Sequence, residues 1–157
     1  MPEFTRYILT NQCYFVTTRV LNGEPIFKSP ELCLLLIDNL KFYREKMQLK
    51  IFGYVIMPDH FHGLIKPQGS VIVSDIMRSI KSYSSKQIAE VCGREGSLWQ
   101  SRFYEHVTRS EQDLLIKLEY IHNNPVRAGS LTYDWWRTLR IMSFPLIGVT
   151  IQKAMSY

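Results

Sequence analysis

Clusters of apolar and β-branched residues in the first half of the chain predict three strands and one helix. Residues 14–18 are aromatic or β-branched, a composition that favours a strand. Residues 29–47 predict a helix, because a serine suited to the N-cap is followed by proline at the first helical position. Residues 51–57 and 60–65 predict two strands that form a hairpin around a turn at 58–59.

The second half of the chain predicts a helix, a short strand and a last helix. Ser74 is the expected N-cap of a helix with a regular apolar stripe, and Gly93 should end it. A fourth strand is expected within residues 99–108. Residues 110–113 match a capping box that starts the third helix, and Pro125 should stop that helix because it lacks a backbone N–H.

The first six elements, in the order βαββαβ, match an α+β fold with a ferredoxin-like antiparallel sheet. In that arrangement two helices cover one face of the sheet, and the first and third strands lie at its centre. The opposite face needs a lid or a ligand, and the extra C-terminal helix can supply the lid. We expect one domain over residues 1–157, with a core at about 5–136 and a tail, 137–157, that the pattern does not assign.

The composition narrows the class of protein. The formal net charge is +5, the pI is about 9.2 and 13% of residues are aromatic. This suits a polyanionic partner, because cations neutralise phosphates and rings stack on bases. Three widely spaced cysteines argue against a disulfide framework and against a cysteine metal site. With no apolar run of transmembrane length and no secretory signal, we expect a cytoplasmic protein without a membrane partner.

Two of the four histidines, His60 and His62, stand at the start of the third predicted strand. Successive side chains of a strand point to opposite faces, so the two imidazoles share one face while Phe61 points to the other. Phe61 would pack beneath the helices, which leaves both imidazoles on the open face. Two imidazoles at this spacing form half a metal site, and a pair of surface histidines at a turn is the alternative.

The third predicted helix carries a tyrosine beside its apolar stripe. Leu114, Leu118 and Ile121 form the stripe, at spacings of four and three residues. At about 100° per residue, Tyr120 lies roughly 120° from the centre of the stripe, and Asn124 follows it on the same side. The helix would therefore present a phenol and a carboxamide beside the core. A boundary tyrosine with a half-buried ring is the alternative.

Three segments together resemble a known family. Residues 55–62, Val-Ile-Met-Pro-Asp-His-Phe-His, resemble the histidine–hydrophobic–histidine (HUH) motif with its preceding apolar strand and Pro-Asp turn. Residues 119–129 resemble the tyrosine-helix motif of the REP-associated tyrosine transposases, which are related to the single-tyrosine transposases of small insertion sequences. Residues 98–106 resemble the fourth-strand region of that family. The resemblance covers roughly residues 5–136, and the three motifs in this order and spacing are specific.

The resemblance implies a metal-dependent transposase that cleaves and transfers single-stranded DNA. Tyr120 would be the nucleophile and would form a 5′-phosphotyrosine intermediate, while His60, His62 and Asn124 would bind the metal. The family is associated with Mg²⁺ or Mn²⁺, although two imidazoles and one amide oxygen suit Mn²⁺ or Zn²⁺ better than Mg²⁺. The DNA partner would be single-stranded beside a hairpin. Insertion-sequence relatives exchange tyrosine helices within dimers and the REP-associated branch is viewed as monomeric, so both a monomer and a homodimer stay open.

A second group of residues could contact DNA. Arg78, Lys81, Ser82 and Ser85 lie on the side of the second helix that faces away from its apolar stripe. This polar side could follow a DNA backbone, and a solvated basic face is the alternative.

Two other functions stay open at this point. A four-stranded sheet on two helices is also the arrangement of the RNA-recognition motif, a binding module without chemistry. Histidines in place of outward-facing aromatic residues on the third strand disfavour that hypothesis. A metal-dependent phosphodiesterase with water as its nucleophile, and with Tyr120 in a structural role, is the other alternative.

Overall fold

The computed structural model describes residues 12–127, apart from the side chains of residues 124–127. Within this range two short 3₁₀ turns, Leu21–Gly23 and Ile26–Lys28, join the regular elements, which are β1 (Tyr14–Arg19), α1 (Pro30–Lys46), β2 (Lys50–Met57), β3 (His60–Lys66), α2 (Val73–Cys92), β4 (Tyr104–Val107) and α3 (Glu111–Arg127). No helix in residues 12–127 is long and apolar enough to cross a membrane.

The four strands form one sheet in the order β2-β3-β1-β4. All three pairings are antiparallel, so β1 and β3 occupy the centre. This confirms the ferredoxin-like arrangement expected from the order of elements. The extent of a single domain over the whole chain stays a prediction.

The larger core lies between the sheet and the pair formed by α1 and α2. Alternate residues of the strands point into it, and they meet apolar residues spaced along one side of each helix. Its largest fully buried side chains include Phe27, Leu36, Phe61, Ile65 and Ile76. Phe61 is 1% exposed, so the prediction that it packs beneath the helices is confirmed.

α3 covers part of the opposite face of the sheet. Leu118 and Ile121, which belong to its predicted apolar stripe, are buried in a second and smaller core. The members of this second core are Cys13, Phe15, Val55, Met57, Leu64, Leu118 and Ile121. α3 packs mainly on β2 and β3, and within residues 12–127 the Tyr104 end of β4 is left exposed on this face.

Two of the predicted helix boundaries are wrong. α2 has Ile72 rather than Ser74 as its N-cap, without a side-chain cap. The Ile72 carbonyl already accepts backbone N–H groups from Asp75 and Ile76, and buried Val73 draws the first turn onto the core. α3 continues through Pro125 to Arg127. Proline has a helical φ, so near a helix end it removes a backbone hydrogen bond without forcing the chain out of the helix.

Other boundaries agree with the prediction. The Ser29 hydroxyl accepts the Leu32 N–H at 3.5 Å at the start of α1, and Gly93 ends α2 in the left-handed conformation. At the start of α3 the Ser110 hydroxyl accepts the Asp113 N–H at 3.0 Å. The Asp113 carboxylate in turn accepts the N–H of Arg109, one residue before Ser110, at 3.0 Å, so the hydrogen bonding runs both ways as in a capping box but is shifted by one residue.

Gly53 permits the close approach of α3 to β2. It lies where the β2–β3 register shifts, and a Cβ added there would meet Leu118 Cδ2 at 2.9 Å. Any larger residue must therefore displace the leucine that anchors the helix.

We predict that Gly53→Ala lowers the free energy of unfolding by about 1–2 kcal/mol, since it overpacks the second core. The loss should be smaller in the background of Leu118→Val, which removes the atom that would clash. A double-mutant cycle in urea denaturation should give a coupling of at least about 0.5 kcal/mol. Leu114→Val is the matched control, because Leu114 lies in the same apolar stripe but not within contact distance of the added Cβ. If Gly53→Ala combines additively with Leu118→Val, as it should with Leu114→Val, this account of Gly53 is wrong.

Candidate active site

The strand register aligns side chains of neighbouring strands in three rows across the face that α3 partly covers. The first row is Met57, His60 and Arg19; the second is Val55, His62, Thr17 and Tyr104; the third is Gly53, Leu64, Phe15 and His106. Apolar members on the β2 side hold α3, and polar members accumulate towards β1 and β4.

His60 and His62 lie on the same face, as alternation along β3 predicts. Their ring centroids are 4.8 Å apart and their planes are nearly perpendicular. His60 Nδ1 lies 2.6 Å from Asp59 Oδ1, and His62 Nδ1 lies 2.7 Å from Thr17 Oγ1. Each ring is therefore oriented through Nδ1 by an oxygen partner, which leaves Nε2 as the nitrogen for a ligand.

His62 is buried, with 4% of its surface exposed. Burial lowers the pKa of His62 to about 3, and the nearby His60 and Arg19 contribute in the same direction. The ring is consequently neutral at pH 7, when a lone pair is available on one nitrogen. With Nδ1–H donated to Thr17, that lone pair would reside on Nε2.

Tyr120 stands beside the histidines on the flank of α3. Its ring centroid is 5.5 Å from that of His62 and 5.8 Å from that of Phe15, and both contacts are edge-on. The residue is 40% exposed although the neighbouring Ile121 is 1% exposed, so the predicted flank position is confirmed. The backbone of Asn124 lies in α3, but its side chain lies outside the described residues.

The phenol opens into a cleft of about 460 Å³ on this face, which we call the tyrosine cleft. It is lined by Phe15, Thr17, Arg19, His62, Tyr104, Lys117 and Tyr120. Lys117 Nζ lies 5.2 Å from the centre of the Phe15 ring, one helical turn before Tyr120. The cleft therefore combines two phenols, an imidazole and two cationic side chains.

His60 and His62 could supply two nitrogen ligands to a metal ion, and further ligands would have to come from other groups. Within residues 12–127 no group of three or more His, Cys, Asp and Glu side chains is placed to hold a metal ion. A third metal ligand from residues 12–127 would therefore have to be a side-chain amide, a hydroxyl or a backbone oxygen. The orientation of both rings through Nδ1 fits a metal on the two Nε2 atoms.

Sequence reasoning missed the partners that orient this site. Asp59 was interpreted only as a turn residue, although its position directly before His60 could have identified it. Thr17 lies on the same strand face as Phe15 and Arg19, but its pairing with His62 depends on the β1–β3 register. Lys117 could have been found from its spacing of three residues before Tyr120.

The second group of predicted residues lies elsewhere. Arg78, Lys81, Ser82 and Ser85 together line a cleft of about 690 Å³, the α2 cleft, between α2 and the segment before β4. This cleft is on the α2 side of the sheet and does not include His62 or Tyr120. Lys81 Nζ donates to the Gln100 carbonyl at 2.7 Å, so this lysine also supports the segment before β4. A contact of these four residues with DNA stays a prediction.

Comparison with known proteins identifies the family. Residues 14–124 match the family described as IS200-like transposases. A REP-associated tyrosine transposase of Escherichia coli K12 is 30% identical over 138 residues, which are 86% of this chain and 80% of that protein.

Two solved structures share the fold. One, a REP-associated tyrosine transposase bound to a REP hairpin, has a TM-score of 0.68 at 24% identity and covers 95% of this chain and 92% of its own. The other, a candidate transposase from Deinococcus radiodurans R1, has a TM-score of 0.55 at 19% identity and covers 75% of this chain and 94% of its own. With more than half of its length matched by the family, the chain belongs to the IS200-like transposases, enzymes that cleave and join DNA.

Proposed function

We propose that this transposase cleaves single-stranded DNA with Tyr120 as its nucleophile and transfers the strand through a 5′-phosphotyrosine intermediate. The observation that carries the proposal is the position of the Tyr120 ring, 5.5 Å from the His62 ring in the same chain. Its exposed phenol shares the tyrosine cleft with His62 and with two cations, Arg19 and Lys117.

His60 and His62 would bind a divalent cation, Mg²⁺ or Mn²⁺, through their Nε2 atoms, and Asn124 would be the third protein ligand. When bound, the cation would neutralise the scissile phosphate and orient it for in-line attack. Two features of the chain support this assignment. The Nδ1 partners Asp59 and Thr17 fix both rings, and burial keeps His62 neutral so that it can act as a ligand.

The covalent step would transfer the phosphoryl group from the DNA to the protein. The Tyr120 hydroxyl oxygen attacks the phosphorus, the bond to the 3′-oxygen breaks, and the strand is left with a free 3′-hydroxyl. The phenol releases one proton and the leaving 3′-oxygen takes one up. Because the phosphotyrosine conserves the energy of the phosphoester, the reverse reaction with another 3′-hydroxyl rejoins DNA without ATP.

The DNA substrate would be a single strand next to a hairpin. The solved relative bound to a REP hairpin supports this substrate class. The tyrosine cleft is open and shallow, and a basic chain suits a polyanion. The α2 cleft, with Arg78 and Lys81, would contact the backbone of the paired stem.

We also propose that Tyr120 acts within its own subunit. α3 packs on the sheet of the same chain through Leu118 and Ile121, and this seating places the phenol beside His62 without a partner. A monomer would therefore suffice for cleavage. A homodimer that exchanges α3 would bring the same groups together from different chains.

A phosphodiesterase that uses water would require the same metal site but no covalent link to protein. The two mechanisms therefore differ in one product, the protein–DNA adduct. Family membership already disfavours a binding module without chemistry.

We predict that Tyr120→Phe abolishes the covalent adduct with single-stranded hairpin oligonucleotides in the presence of Mn²⁺. Phenylalanine keeps the ring contacts with Phe15 and His62, so DNA binding should persist and stability should change by less than about 1 kcal/mol. Denaturing gels measure the adduct. Tyr83→Phe is the matched control, because Tyr83 is also 40% exposed but lies on α2, and this variant should form the adduct normally.

Two outcomes of this experiment would count against the mechanism. A Tyr120→Phe protein that still cuts the strand and releases a hydrolysis product would identify water as the nucleophile. An adduct of the native protein that mass spectrometry maps to another tyrosine would remove Tyr120 from the reaction.

We further predict that His60→Ala prevents Mn²⁺ binding by the metal-free protein and stops cleavage, with partial recovery at high Mn²⁺. Asp59→Ala should weaken Mn²⁺ binding by roughly 10- to 100-fold, because the residue acts only through the orientation of His60. Isothermal titration with Mn²⁺ measures both effects without DNA. His106→Ala is the control, since His106 pairs with Asp113 at 3.1 Å in the neighbouring row and should leave Mn²⁺ affinity unchanged. Undiminished Mn²⁺ binding by His60→Ala would refute the proposed metal site.

A further inference from the structure

We propose that Tyr104, Arg19 and Lys117 form a subsite for one unpaired nucleotide next to the scissile phosphate. The Tyr104 ring would stack on the base, and the two cations would hold the phosphates on either side. This inference rests on the proposed function, because it places the nucleotide by reference to Tyr120 and the histidine pair.

Tyr104 is the most exposed large apolar side chain in the described part of the chain, at 59%. It lies on β4 directly across from Thr17, which is itself across from His62. Tyr104 is thus two strands from His62 in one row, a backbone separation of about 10 Å at the usual strand spacing. A nucleotide that adjoins a phosphate near His62 could therefore place its base over Tyr104.

The exposure of Tyr104 follows from the position of α3. The helix packs mainly on β2 and β3, so among the described residues the β4 end of the row is left exposed. Among the described residues, no aromatic ring stacks on Tyr104. The Tyr104 ring therefore lines the tyrosine cleft and is available to a planar ligand.

Two cations lie on opposite sides of the row that contains His62, Thr17 and Tyr104. Arg19 belongs to the row of His60, and Lys117 projects from α3 over Phe15 in the third row. In residues 12–127 neither cation forms an ion pair, so both charges are available to a ligand. The neighbouring carboxylates are already engaged, Asp59 with His60 and Asp113 with His106.

These positions favour a single strand over a duplex. A flat ring beside two separated cations can hold a base by stacking and its backbone by charge, whatever the base. In a duplex the bases are stacked on one another and cannot reach a ring on the floor of a cleft. The subsite would therefore select unpaired DNA at the point of cleavage and would act before the covalent step.

The first test measures binding without chemistry. The full chain carrying Tyr120→Phe is titrated in metal-free buffer with a mixed-sequence single-stranded oligodeoxynucleotide that contains one 2-aminopurine. Tyr104→Ala should weaken binding by roughly 5- to 100-fold, which corresponds to the loss of one stacked base. It should also remove the fluorescence quenching by stacking, whereas Tyr104→Phe should keep both.

The matched control is Phe42→Ala. Phe42 is an exposed ring on α1, 48% exposed, with Lys46 Nζ 5.4 Å from its centre. It offers a similar ring and cation far from the tyrosine cleft, and its loss should not change the affinity. Equal losses for Phe42→Ala and Tyr104→Ala, or binding by Tyr104→Ala within twofold of its parent, would overturn the subsite.

The cations are tested by the dependence of affinity on salt. Arg19→Ala and Lys117→Ala should each reduce the slope of log affinity against log salt by about 0.7, the value for one phosphate contact on a single strand. Lys46→Ala is the control and should leave the slope unchanged. An unchanged slope for both Arg19→Ala and Lys117→Ala would remove them from the subsite.

The failure of this inference can be told apart from a failure of the proposed function. If the native protein forms the Tyr120 adduct but Tyr104→Ala binds and quenches normally, the subsite is wrong and the function stands. If binding depends on Tyr104 but no adduct forms with any oligonucleotide tested, the subsite stands and the nucleophile assignment is wrong.

Discussion

The seating of α3 on its own sheet is the constraint on which the active site depends. Leu118 and Ile121 bury the apolar side of the helix against β2 and β3, and the absence of a side chain at Gly53 lets the helix come close. The helical period then carries Tyr120 to the flank that faces β3. A phenol that lies between buried Leu118 and buried Ile121 along the helix is thus held beside the histidines while remaining 40% exposed.

The same helix sets the electrostatics of the histidine pair. It covers His62, and the loss of water contributes most to the low pKa of that ring. A charged imidazole would be costly under this cover, so the site is prepared for a neutral ligand nitrogen rather than for a salt bridge. His60, at the edge of the cover, has a carboxylate as its Nδ1 partner, whereas buried His62 has an uncharged hydroxyl. The choice of partner follows the degree of burial, since a carboxylate beneath α3 would itself need compensation.

Sequence patterns predicted the order of elements, the shared face of His60 and His62, and the flank position of Tyr120. These features depend on local periods of two and 3.6 residues, which a sequence displays directly. Pairings across strands do not appear in any local pattern. For that reason Thr17 was not connected with His62, and the exposed position of Tyr104 at the end of the same row was not predicted. The predicted start of α2 at Ser74 was wrong because burial of the first turn outweighed the capping preference of serine. The predicted stop of α3 at Pro125 was wrong because the helix tolerates a proline near its end.

The incomplete cover of this face by α3 leaves room for the proposed binding surface. A helix as wide as about two strand spacings cannot shield all four strands. By packing on β2 and β3, α3 covers the end of the row that holds His62 and leaves the end that holds Tyr104 uncovered by that helix. A strand of DNA lying along that row would pass from the exposed Tyr104 ring, between two cations without an ion pair in residues 12–127, to the buried His62 imidazole and the phenol of Tyr120. Binding and chemistry would then be separated along one row of the sheet. The solvent-exposed end at Tyr104 would be suited to binding, and the buried end at His62 would be suited to reaction.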